Sequence, residues 1–198
     1  MKLVLASKNQ HKLLEMEHIL RDLGLEVVLE SQVGVDVDVE ETGTTFLENA
    51  ALKARAVMEA SGMAAIADDS GLMVDALDGA PGVYSARYGN LDSDQARTSY
   101  LLENLKDVPA GKRGAQFVSA IVCILPDGRE VHAQGTCQGE ILFAPRGENG
   151  FGYDPVFFVP PLKKTFAQLS PEEKNAVSHR GKALEQFKAK LEEYLKKN

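Results

Sequence analysis

The sequence predicts an α/β protein built on a sheet with parallel character, to which a second lobe is added. Three observations lead there. Residues 1–68 alternate strand-like and helix-like hydrophobic periodicity in the order β-α-β-α-β, which favours parallel strands and right-handed crossovers. Residues 115–125 and 129–141 are two long strand-like runs joined by Pro-Asp-Gly, which reads as a hairpin and suggests the second lobe. The chain has 198 residues, 44% of them hydrophobic, which suits a single domain over residues 1–198 whose two lobes share one core.

Residues 2–6 (KLVLA) are an apolar strand that runs directly into SKNQHK and then into an amphipathic stretch. There Leu13, Met16, Leu20 and Leu23 recur at helical spacing, with Gly24 as the stop. Residues 25–29 (LEVVL) form the second strand. Residues 45–62 form a second helix with Phe46, Ala50, Ala54, Val57 and Met58 on one face, and residues 64–68 (AAIAD) a third strand. Ligands of such sheets bind beyond the carboxyl ends of the strands. After Gly71 the pattern changes: residues 79–89 are turn-rich, residues 93–108 form a polar-faced helix, and residues 143–160 form a loop rich in glycine and proline that leads into the apolar run VFFV. Residues 170–197 close the chain as one helix, announced by Ser170 as N-cap, Pro171 at the first helical position and Glu173 in the capping-box position.

Acidic and basic residues are interspersed, and the net charge is −7, so no basic stripe can hold a nucleic-acid backbone by counterion release. A small anion, held by a few local lysines or a metal ion, remains compatible with that field. No apolar run approaches the roughly 20 residues that a membrane span needs. Cys123 and Cys137 lie in a chain whose start lacks a signal-peptide pattern, which leads to the expectation of reduced thiols in a cytoplasmic protein.

Four polar clusters carry candidate chemistry. SKNQHK (7–12) sits between a strand and a helix, where backbone N–H groups and the helix dipole favour a phosphate and Asn9 and Lys12 add donors; the plainer role is that Ser7 or Asn9 caps the helix. VEETG (39–43) is an acidic turn that could be a solvated charge pair. It becomes a candidate for a hard cation only if further oxygens converge on it. Asp68 and Asp69 could supply them: strand alternation turns one carboxylate to a site and the other behind it, and the apolar flanks IA and LMV place both near the core. A magnesium site explains such carboxylates more economically than a turn cap at Ser70 and Gly71. FGYDP (151–155) offers aromatics that stack on a base or anchor the loop in the core. KNAVSHRG (174–181) is read as placing Lys174, Ser178 and Gly181 on one helix face, with His179 and Arg180 splayed to its sides, a pattern that a solvated helix surface would also give.

Taken together and in order, Ser7, Asn9 and Lys12 in SKNQHK, then EETGTTFLENAALKA (40–54), DDSGL (68–72), GAPGVYSAR (79–87), FGYDP (151–155) and EKNAVSHRG (173–181) resemble the inosine triphosphate pyrophosphatase family, most closely its bacterial dITP/XTP pyrophosphatases. The likeness runs from near residue 3 to near residue 190. The departures expected from it are Lys8, Gln10 and His11, where relatives often carry small residues.

The resemblance implies a long central mixed β-sheet with flanking helices, two lobes around a nucleotide-binding cleft, and a homodimer. It also implies a Mg2+-dependent hydrolase that converts ITP, dITP and XTP to the monophosphate and pyrophosphate. On this reading Glu41 or its neighbour Glu40, with Asp69, holds Mg2+, and Asp69 accepts the proton of the attacking water. Ser7, Lys8, Asn9, Gln10, His11, Lys12, Lys53 and Ser70 lie along the triphosphate. Phe151, Gly152, Tyr153, Asp154, Lys174, His179 and Arg180 surround the base. Donors at its edge suit a 6-oxo purine and disfavour a 6-amino one. Two alternatives stand beside this reading. A nucleotide- or RNA-binding module would use the anion site without needing Glu41 and Asp69, and another nucleotide pyrophosphatase would need that pair but read a different base.

Overall fold

The structure is a computed structural model and describes residues 1–197. Seven strands, Lys2–Leu5 (β1), Glu26–Leu29 (β2), Ala65–Val74 (β3), Gly114–Ile124 (β4), Glu130–Ile141 (β5), Phe157–Val159 (β6) and Lys164–Thr165 (β7), lie in one sheet in the order β2-β1-β3-β4-β5-β6-β7. β1 pairs in parallel with β2 and β3, while β5 with β6 and β6 with β7 are antiparallel, so the sheet is mixed, as the family resemblance implies. The helices are Gln10–Leu20 (α1), Phe46–Ser61 (α2), Asp94–Asn104 (α3), Pro171–Val177 (α4) and His179–Lys196 (α5). Among the described residues no helix is long and apolar enough to cross a membrane.

Local chemistry sets the helix ends. The Asn9 side chain accepts from the N–H groups of His11 and Lys12 and starts α1, which buries Leu13, Met16, Ile19 and Leu20. Thr45 accepts from the N–H of Glu48 to start α2, and Gly62, at φ +67°, ends it in the left-handed conformation that glycine adopts without strain.

Two elements differ from the sequence expectation. β3 does not stop at residue 68 but continues through Ser70 and Gly71 to Val74, with Asp68 and Asp69 in its middle. The closing helix is broken at Ser178, whose extended backbone (φ −70°, ψ 158°) separates α4 from α5. Lys174, Ser178 and Gly181 therefore do not share a helix face. No proline or glycine stands at the break; Ser178 is fully buried there, and its N–H donates to the Lys174 carbonyl at 2.7 Å.

The chain divides into two compact units: among the described residues unit 1 comprises residues 1–69, 119–135 and 179–197, and unit 2 comprises residues 70–118 and 136–178. The boundaries fall inside β3, β4 and β5 and at the joint of α4 and α5. Unit 1 has apolar cores on α1 with α5 and on α2, built on Leu3, Leu5, Ile66, Ile121 and Phe187 and on Val4, Ala54, Val57 and Val122. Unit 2 has its own core, in which the Phe117, Phe157 and Phe166 rings pack with centroids 4.6–5.5 Å apart.

Candidate active site

In unit 1 the carboxylates of β3 meet the basic residues of α1, α2 and α5. Asp68 is fully enclosed. Its Oδ2 accepts from Ser119 Oγ at 2.7 Å and from Arg180 Nε at 3.0 Å, its Oδ1 lies 3.0 Å from Lys12 Nζ, and Arg180 also engages Glu15. Burial works against its charge, but the Arg180 and Lys12 cations outweigh burial and hold the carboxyl well below the usual range. The same enclosure works against the Lys12 ammonium, whose pKa burial lowers while Asp68 pulls it up.

Asp69, the next residue, has a different environment. Lys53 Nζ stands 3.5 Å from its Oδ1 and 3.7 Å from Glu41 Oε1, and donates to the Asp68 carbonyl at 3.1 Å. Asp69 Oδ2 is buried with no hydrogen-bond partner among the described residues. Burial lifts this carboxyl above the usual range, and Glu41 adds to the lift while Lys53 opposes it. Two carboxylates facing one ammonium, one of them with an orphaned oxygen, form a hard-oxygen donor set that fits a divalent cation such as Mg2+. Among the described residues no group of three or more His, Cys, Asp or Glu gathers as a complete cage. Two carboxylates plus substrate phosphates are a common way to hold Mg2+.

The SKNQHK segment is more self-contained than its sequence suggests. Four of its N–H groups are used locally: Ser7 donates to the Leu5 carbonyl, Asn9 to Ser7 Oγ, and His11 and Lys12 to Asn9 Oδ1. The plainer role, capping by Asn9, is thus realised. Lys8 pairs with exposed Asp36 at 2.6 Å, and Gln10 and His11 are exposed at the start of α1. Of the two candidate glutamates, Glu41 approaches Lys53, while Glu40 is exposed.

In unit 2 the FGYDP loop meets α4. Lys174 Nζ donates to Asp154 Oδ2 at 2.8 Å and lies 4.8 Å from the centre of the Phe151 ring, and Asp154 Oδ2 also accepts from the Phe151 N–H at 3.1 Å. Gly150 belongs here because any Cβ would lie 2.1 Å from Asp154 Oδ2. Tyr153 turns into the core, its hydroxyl donating to the Ser85 carbonyl at 2.6 Å. Asp94 Oδ2, on the first turn of α3, accepts from the Gly152 N–H at 2.9 Å. Ser70, half-buried, follows Asp69 on β3 and begins this unit.

The structure therefore groups Lys12, Lys53, Glu41, Asp68, Asp69 and Arg180 in one unit, and Phe151, Asp154 and Lys174 in the other. Arg180, in unit 1, is 2% exposed and bound to Asp68 and Glu15, and His179 is buried beside it in sequence. Glu15, Ser119, Asn49 and Asp94 escaped the sequence reading. Ser119 and Asn49 left a signal, being polar residues inside apolar patterns (FVSAIV and the buried face of α2). Asn49 is fully buried, accepts from the Gly43 N–H through Oδ1, and leaves Nδ2 without a partner among the described residues, a cost of about 1–3 kcal/mol.

Comparison with known proteins gives this geometry a lineage. The Ham1 family model matches residues 3–190. The dITP/XTP pyrophosphatase of Mannheimia succiniciproducens is 51% identical over 195 residues, covering 96% of this chain and 98% of that protein. The dITP/XTP pyrophosphatase of Clostridium perfringens is 47% identical, covering 98% of this chain and 99% of its own. The solved structure of a HAM1 protein from Coxiella burnetii superposes with a TM-score of 0.88 at 45% identity, over 98% of this chain and 99% of that one. With a family model spanning nearly all of its length and relatives at about half identity on both sides, the chain belongs to the Ham1 family.

Proposed function

We propose that the chain is a Mg2+-dependent nucleoside triphosphate pyrophosphatase that hydrolyses deaminated purine nucleotides, dITP, ITP and XTP, to the monophosphate and pyrophosphate. Two relatives of about half identity carry the name dITP/XTP pyrophosphatase, which supports the reaction class. The observation that carries the chemistry is the pair of Glu41 and Asp69 around Lys53 Nζ, with one Asp69 oxygen buried and unpartnered. Glu41 rather than Glu40 is the partner of Asp69 in this reading.

Asp69 acts as proton acceptor. Its orphaned oxygen draws the proton from a water, the water oxygen attacks the α-phosphorus, and pyrophosphate leaves with the electron pair of the broken P–O bond. Without a cation, burial lifts this carboxyl above the usual range, the direction that suits a proton acceptor. Lys12 and Lys53 meet the phosphate charge, with Ser7 and Ser70 as further donors. Because local capping uses four N–H groups of residues 7–12, the ammonium groups carry most of that role. When bound between Glu41 and Asp69, Mg2+ would supply Lewis-acid neutralisation of phosphate charge.

In unit 2, Phe151 offers a ring to the base, and the Lys174–Asp154 pair presents a donor and an acceptor beside it. A 6-oxo purine satisfies the donor, whereas a 6-amino group sets donor against donor. The same reading carries a homodimer acting on the cytoplasmic nucleotide pool.

The test is pyrophosphate release, with and without Mg2+, from ITP, dITP, XTP, GTP, ATP and dUTP. Fast, Mg2+-dependent release from the first three is expected. Equal rates on GTP and ITP would sink the base preference, and inorganic phosphate as the first product would sink attack at the α-phosphorus.

A further inference from the structure

We propose that Asn49 is a positioning residue that pins the acidic turn of residues 40–43 to α2 and so sets where Glu41 stands relative to Asp69 and Lys53; the proposal rests on the metal-site reading above. Asn49 is 0% exposed on the buried face of α2, where the residues around it are Phe46, Ala50, Ala54 and Val57. A polar side chain on that stripe needs a reason. Its Oδ1 accepts from the Gly43 N–H at 2.7 Å, two residues beyond Glu41. The turn lies so close to the helix that a Cβ on Gly43 would be 2.6 Å from Asn49 Oδ1, 2.7 Å from Glu48 Cβ and 3.0 Å from the Asn49 backbone nitrogen. Glycine and asparagine are therefore matched halves of one contact.

The anchor and the ammonium share a helix face. Lys53 follows Asn49 by four residues, one turn along α2, and its Nζ stands between Glu41 Oε1 at 3.7 Å and Asp69 Oδ1 at 3.5 Å. One rigid helix thus fixes both the approach of the turn and the charge at its focus. The nearby pair of Thr44 and Glu48, by contrast, is exposed and closes an ordinary helix start. Asn49 Nδ2, buried without a partner among the described residues, shows that packing alone does not explain the residue, since an aliphatic side chain would carry no orphan. Without the pin, the Glu41 carboxylate samples more positions, and a cation site made from two carboxylates loses the convergence on which its affinity depends.

The experiment measures Mn2+ binding to the full chain by electron paramagnetic resonance, without nucleotide, so that the readout is independent of turnover. Asn49→Ala removes the acceptor and Gly43→Ala pushes the turn off the helix, and each is expected to weaken Mn2+ binding about tenfold or more. Val57→Ala, a core deletion on the same helix, lowers thermal stability but keeps Mn2+ affinity within about twofold. In turnover assays Asn49→Ala raises the Mg2+ concentration needed for half-maximal rate, and kcat recovers at saturating Mg2+. If either folded variant bound Mn2+ like the parent, or Val57→Ala lost as much affinity as Asn49→Ala, the proposal would be overturned. Gly43→Ala, at a partly exposed turn position, carries the test if Asn49→Ala does not fold. Asp69→Asn separates the two readings: retained Mn2+ affinity there removes the metal site itself, whereas lost affinity there with normal binding in Asn49→Ala removes only the role of Asn49.

Discussion

At the scale of residues, the adjacent carboxylates of β3 are divided by strand alternation, which sends successive side chains to opposite faces. Asp68 receives Ser119, Arg180 and Lys12, and Asp69 receives Lys53 and keeps one oxygen unpartnered. Their contributions to stability then have opposite signs. The folded-state pKa of Asp69 is raised by burial, so the stability it lends is present below its unfolded pKa and is lost as pH rises through the folded value. At neutral pH the charged form is a liability of the fold. Asp69→Asn, in metal-free buffer with a chelator, is therefore expected to melt higher than the parent at neutral pH while losing turnover. Its advantage should fade as pH falls below the ordinary carboxylate range. The folded pKa of Asp68 is depressed, so its contribution is present above the unfolded pKa and lost on acidification through the folded one. Asp68→Asn leaves Arg180 poorly compensated and is expected to cost about 3–5 kcal/mol by denaturant unfolding at neutral pH. A lower melting temperature for Asp69→Asn than for the parent at neutral pH would contradict the burial argument.

Among the elements, α3 has a part that its capping sequence does not advertise. Asp94 accepts from the Gly152 N–H, Thr98 Oγ1 lies 3.4 Å from the Gly152 carbonyl, and Arg97 braces Asp94 at 2.7 Å, so the first turns of this helix hold the loop that carries Phe151 and Asp154. A hydrogen bond to a charged acceptor contributes about 1.5–3 kcal/mol, and losing it should loosen this loop of unit 2. Asp94→Ala is thus expected to raise KM for ITP about tenfold and narrow the ratio of ITP to GTP, with kcat little changed. Unchanged KM and selectivity in that variant would show that the loop needs no such brace. Contacts of this kind mark the limit of what the sequence reveals. The β-α-β-α-β order was legible because periodicity is local, and the helix starts at Asn9, Thr45 and Ser170 follow from side chains a few residues away. Arg180 and Asp68 lie 112 residues apart, and Lys174 and Asp154 lie 20 apart, so their pairing depends on topology that no window contains. The break at Ser178 was overlooked because the helical periodicity continues on both sides of it, although a serine with a glycine three residues on is a weak boundary signal.

Across the whole molecule, each unit has its own apolar core, yet β3, β4 and β5 each run through the boundary between the units. A strand cannot lose one half of its backbone pairing without disturbing the register of the other, which favours unfolding in a single cooperative step. The two thiols report on this directly, because Cys123 lies in a unit 1 core and Cys137 in the unit 2 core, and both are buried. Burial pushes the Cys123 thiol up to about 12, so even in mildly alkaline buffer it reacts only after its core opens. Pulses of N-ethylmaleimide at increasing guanidinium concentration, with each modified peptide quantified by mass spectrometry, are expected to label the two cysteines at one common midpoint. Labelling of Cys137 at a clearly lower midpoint than Cys123, or the reverse, would mean that the shared strands do not couple the units and that each opens as a separate cooperative body.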